Sequence, residues 1–164
     1  MIITPHLLLG AAIGAKIKNF GWIIVLGIVS HIILDKIPHW DYGNGILEKF
    51  TKNKSQKILF IFLLQMLIDG LIGLIIVFVI VWQKNMLDIN NLSFITAGIL
   101  ASIFPDIVLG ATKLFSKRIP KFSKVYINIH EKILHCHKHI NKPTLLGLST
   151  EILISVIAIL ILVI

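Results

Sequence analysis

Five apolar runs, Pro5 to Ala15, Trp22 to Ile37, Ile58 to Trp82, Leu92 to Phe115 and Leu145 to Ile164, take up most of the 164 residues. Runs of this kind leave little choice of fold. The last three reach the roughly 20 residues that carry a helix across the hydrocarbon layer, where a helix can satisfy every backbone N–H and C=O within itself. A hydrophobic fraction of 56% and a mean hydropathy of +0.90 exclude an ordinary soluble domain. The expected fold is therefore all-α: a polytopic integral membrane bundle of about five transmembrane helices, forming a single membrane-embedded domain over residues 1–164. The first run is short enough to be re-entrant. It contains Gly10-Ala-Ala-Ile-Gly14, a small-xxx-small face suited to close helix contact. Pro38 ends the second run, and Pro105 interrupts the fourth.

Charge sets the expected orientation. Of the sixteen basic residues, all but Lys16, Lys18 and Lys84 belong to two loops, about 38–57 and 116–142, when Lys36 and Lys113 at their edges are counted with them. By the positive-inside rule both loops are cytoplasmic. The amino terminus is then cytoplasmic too if the first run spans, and the protein is expected in the cell membrane. The net charge of +8 is the topological signal of such a protein and draws anionic lipid headgroups, so membrane lipids rather than nucleic acid are the expected partners. No basic segment precedes the first run, so it does not read as a cleavable signal peptide. Cys136, the single cysteine, allows no intramolecular disulfide and fits a reducing face.

Against this apolar background Asp35, Asp69 and Asp106 are conspicuous, because a carboxylate at bilayer depth costs a few kcal/mol and normally faces a bundle interior with a partner. His31 precedes Asp35 by one helical turn, so both side chains share a face. Threading the helices by the lysine rule brings His6, His31 and Asp35 to the cytoplasmic end and turns Asp69 and Asp106 toward the same cavity. His39, Asp41, His130, His135 and His137 are weaker candidates from the adjoining loops. Imidazole and carboxylate donors with one lone cysteine suit Zn²⁺, Mn²⁺ or Fe²⁺ rather than a thiolate site, as one ion or two. Asp41 can orient an imidazole from outside the ligand set, and Pro105 frees a carbonyl near Ala101 that needs a protein or wet lining. Simpler roles compete: an interhelical hydrogen bond for Asp35 and His31, a bond to a neighbouring side chain for Asp69, a helix cap for Asp106, and an interfacial or lysine-paired position for Glu151.

Thr4-Pro-His6, followed by Ser30-His31-x-x-Leu34-Asp35-x-x-Pro38-His39-Trp40-Asp41, resembles the small bacterial and archaeal membrane-bound metal-dependent hydrolases, a family of largely uncharacterised activity. Asp69, Phe104-Pro105-Asp106 and Gly147-Leu-Ser-Thr-Glu151 fit the resemblance more loosely. What it implies is a helical membrane protein with a metal centre on His6, His31, Asp35, Asp69 and Asp106. The family is also similar to zinc-dependent phospholipase C, which implies hydrolysis of a phosphoester, by analogy of fold and donor type. Two other functions use the same residues: a proton or metal-ion transporter, and a non-enzymatic scaffold in which they only join helices.

Overall fold

The computed structural model describes residues 3–40, 55–114, 118–130 and 144–164, and among these the chain is all-helical, with six helices and no strand. They are α1 (Ile3–Lys16), α2 (Phe20–Asp35), α3 (Gln56–Gln83), α4 (Ile89–Leu114), α5 (Pro120–Ile129) and α6 (Leu145–Val163). Three of them, α3, α4 and α6, are long and apolar enough to cross a membrane. At 14 and 16 residues, α1 and α2 are about 21 and 24 Å long, short of a hydrocarbon layer of about 30 Å.

The shortest bundle helix is also the central one. α1 is packed by α2, α3, α4 and α6, and its Leu7, Leu8, Ala11, Ala12 and Ala15 form the core with Val77 and Val81 of α3, Ile95 of α4 and Leu162 of α6. The glycine face is used as its spacing predicts. A Cβ on Gly14 would lie 2.2 Å from the Phe94 carbonyl oxygen, and one on Gly98 would lie 2.1 Å from that of Gly10, so α1 and α4 run antiparallel with their backbones touching. On an adjoining face of α4, Gly27 of α2 abuts Ala101, where a Cβ would come within 2.6 Å. That contact covers the turn of α4 where Pro105 has no N–H to offer the Ala101 carbonyl.

These registers place the ends of the helices. Gly73 of α3 lies against Thr4 and Leu7, and Gly147 of α6 lies against His39 and Trp40. The Thr150 hydroxyl donates to the Pro38 carbonyl at 2.7 Å. Thus α1, α3 and α6 start at the end where α2 and α4 finish. α1 nonetheless starts late: its first residues meet Asp69, thirteen residues or about 20 Å along α3.

At the opposite end Asp88 begins α4, accepting from the Asn91 N–H at 3.0 Å. That backbone hydrogen bond holds the Asp88 carboxyl below its ordinary range. A depressed folded-state value gives stability that is present above the unfolded-state pKa and lost as pH falls through the folded one. Asp88→Asn is expected to flatten the acid limb of a stability-against-pH profile while leaving neutral-pH unfolding little changed.

Candidate metal centre

Four helices deliver one cluster. His6 comes from the first turns of α1, His31 and Asp35 from the last turns of α2, Asp106 from α4 just after Pro105, and His130 from the end of α5. The i, i+4 pair on α2 meets as its spacing predicts, with His31 Nε2 3.1 Å from Asp35 Oδ2. The other oxygen, Oδ1, is 3.3 Å from His6 Nε2, so Asp35 lies between two imidazoles whose centroids are 4.4 Å apart. Asp106 Oδ1 is 3.8 Å from His31 Nε2 and 3.9 Å from His130 Nε2. His31, Asp35, Asp106 and His130 each offer a ligand atom, all within 4.8 Å of one another.

Two donors bound at about 2.1 Å to one tetrahedral ion stand about 3.4 Å apart. The separations of 3.1 to 3.9 Å bracket that edge. Direction supports the same conclusion. His6 and His31 are fully buried, and neither ring nitrogen of either has an aligned hydrogen-bond partner, even with the Asp35 oxygens this close. A buried polar atom without a partner costs about 1–3 kcal/mol, so such atoms are normally satisfied. A cation among them would satisfy the converging Nε2 atoms together with the carboxylate, and the donor set fits Zn²⁺ or Mn²⁺.

His130 and Tyr126 occupy the inner face of α5. The Tyr126 hydroxyl donates to the Pro105 carbonyl at 3.0 Å, which ties α5 to the turn of α4 that carries Asp106. Burial, and secondarily the Asp106 charge, pushes the Tyr126 phenol up, keeping it a donor. Burial also pushes the His130 imidazole down, outweighing the opposing pull of Asp106, and so favours the neutral form that ligates metals.

Not every expected residue joins. The Asp69 carboxylate accepts from the Ile3 N–H and the Thr4 hydroxyl, and the Asp69 carbonyl accepts from the same hydroxyl at 2.8 Å. It acts on the amino-terminal turn of α1, whose first N–H groups have no partner within the helix. It thus lies outside the converging group and positions α1, the helix that carries His6. Asp69→Ala is expected to cost about 1–3 kcal/mol in detergent unfolding, the range for an orphaned buried donor, while metal stoichiometry stays at the wild-type value. His39 turns Nδ1 to the Ile37 carbonyl at 2.7 Å and likewise lies outside the group. Asp41, His135 and His137 fall outside the described residues.

His130, a minor candidate by sequence, is a full member and is almost completely buried. The signal was the pattern of α5, whose Ser123, Tyr126, Ile127 and His130 recur at helical spacing among lysines. Glu151, in the second turn of α6, is buried within the protein. No family model, curated protein or solved structure matches this chain, and what the site does is to be read from its own side chains.

Proposed function

We propose that this chain is a membrane-embedded metal-dependent hydrolase acting on a phosphoester of a lipid or lipid-linked substrate, with its centre opening toward the cytoplasm. The supporting observation is the convergence of His31, Asp35, Asp106 and His130, with His6 behind them, at metal-ligand spacing. The resemblance of the Ser30 to Asp41 segment to the membrane-bound metal-dependent hydrolases agrees with this reading, and the basic content of the sequence around 38–57 and 116–142 supports the cytoplasmic orientation. A divalent cation held here, zinc or manganese by its donors, supplies Lewis acidity, which polarises a phosphoryl oxygen and makes water acidic enough to attack at neutral pH.

The chain's own groups then have distinct tasks. Asp35 would ligate the ion between the two imidazoles on the closed side, where it, His6 and His31 are all buried. Asp106 is the open member, with a side chain 27% exposed, so the substrate meets the cluster on the side of Asp106 and His130. Its Oδ1 faces the histidines, and Asp106 would serve as the base that takes the proton of the attacking water. Phosphate release from lipid phosphoesters in proteoliposomes tests this. It should vanish on chelation, return with Zn²⁺ or Mn²⁺, and fall by about 10²–10⁴ in kcat in Asp106→Asn, the range for loss of a general base. Release that survives both chelation and Asp35→Asn defeats the proposal, as does Asp35-dependent cation flux with no hydrolysis, which makes the ion cargo.

A further inference from the structure

The short helix α5 divides its surface three ways. Ser123, Tyr126, Ile127 and His130 turn inward, with Ser123 and His130 buried. Phe122, Val125 and Ile129 form a second stripe that is 56%, 59% and 46% exposed, with Ile119 at 42% extending it. Lys121 and Lys124, with Asn128 between them around the helix axis and Arg118 just before the helix, form a third, exposed and cationic. A ten-residue helix is marginal alone in water, and an exposed stripe of Phe, Val and Ile makes water a poor environment for it. An apolar stripe beside a cationic one is what a helix lying in the plane of an anionic membrane surface requires.

We infer that α5 lies in the membrane interface, with Phe122, Val125 and Ile129 in the acyl boundary and Arg118, Lys121 and Lys124 on anionic phospholipid headgroups, and that this seating holds His130 against Asp106. The inference deepens the proposed function, since it rests on His130 serving as a ligand, and it makes anionic lipid a structural cofactor of the centre. The link is short: His130 follows the last residue of α5, Tyr126 fastens the same helix to Pro105, and Asp106 is the next residue along α4. Lipid that draws α5 to the surface therefore fixes the open side of the cluster, where the substrate headgroup has to arrive. Each cation near an anionic surface is worth roughly fivefold in partitioning.

A nitroxide on Val125→Cys, in a Cys136→Ser background, reports the depth of α5 without any metal. Val125 is exposed and Cys136 is the only native thiol, so full-length protein carries the label at one site. In vesicles of phosphatidylcholine with 30% phosphatidylglycerol the label is expected at the acyl boundary, whether or not zinc is present. Lys121→Glu with Lys124→Glu should shift its membrane-to-water ratio by roughly 25-fold or more. In the unlabelled protein the same pair should weaken zinc binding about as much as His130→Ala does, and pure phosphatidylcholine should reproduce part of that loss. A label in water in anionic vesicles overturns the inference. So does a depth indifferent to the two lysines, or a label buried only in native membranes, which would mean a protein partner covers the stripe. Zinc affinity that ignores both lysines while the label moves overturns the coupling. A wild-type protein that binds no metal, with the label still at the boundary, refutes the metal centre instead, so the two failures are told apart.

Discussion

Purified without chelators, the wild-type protein is expected to carry a stoichiometric divalent cation and Asp35→Asn to lose it, with zinc affinity at least about 100-fold weaker by calorimetry and metal content near zero by elemental analysis. Asp35 is the choice because it is the shared member: its two oxygens face His31 at 3.1 Å and His6 at 3.3 Å, and it belongs to the converging group of four. Asparagine keeps the shape, so the packing of α2 on α4 survives, but it removes the buried negative charge and puts an N–H₂ where an acceptor was. Even residues one step removed from a metal shift affinity 10–100-fold, and a direct anionic ligand exceeds that. His31→Ala should also abolish binding, but it opens a cavity in a fully buried position and lowers stability as well. Asp69→Ala supplies the contrast, since it weakens the fold at the start of α1 and leaves the metal in place. Wild-type protein without metal, or Asp35→Asn with it, rules the centre out.

How much of this was written in the sequence depends on the range of the interaction. Membrane helices are local: the runs around Val77 and Leu160 read directly as spans because burial in lipid needs nothing but side-chain hydrophobicity and length. The pair His31 and Asp35 was legible for the same reason, being one turn apart on one helix. The glycines at 10 and 14 announced a close contact but not with which helix, because the partner glycine, Gly98, stands 84 residues further along the chain. Asp69 shows the limit. From sequence it is a buried carboxylate like Asp35, and only the late start of α1 relative to α3 explains why it faces backbone N–H groups instead of imidazoles. That offset follows from how Gly73 seats on Thr4 and Leu7, a tertiary register with no local signature. His130 was obscured for a similar reason: its helix is short, and among basic residues it reads as surface until Tyr126 is seen to bond Pro105.

Gly98→Ala should destabilise the protein by about 3 kcal/mol, the upper end of the range for overpacking, and weaken metal binding although the substitution touches no ligand. The added Cβ would sit 2.1 Å from the Gly10 carbonyl oxygen and 3.0 Å from the Gly14 nitrogen, both backbone atoms of the central helix, so no side chain can rotate away to make room. The helices have to part instead. α1 carries His6 and α4 carries Asp106, so separating them pulls at opposite sides of one cluster. It also lifts Gly10 from Ser102, which lies one turn before Asp106 on α4. Gly110→Ala is the matched control on the same helix. A Cβ there meets nothing within 4 Å, and alanine is favoured over glycine in a helix by roughly 0.5–1 kcal/mol, so this variant should be neutral or slightly more stable. Unfolding in detergent, followed by helical signal with zinc affinity measured on the same samples, separates the cases. If Gly98→Ala matches Gly110→Ala in both readouts, the close packing of α1 on α4 does not set the geometry of the metal centre. If it loses stability and metal together, the small-residue seam is what holds His6 and Asp106 in register.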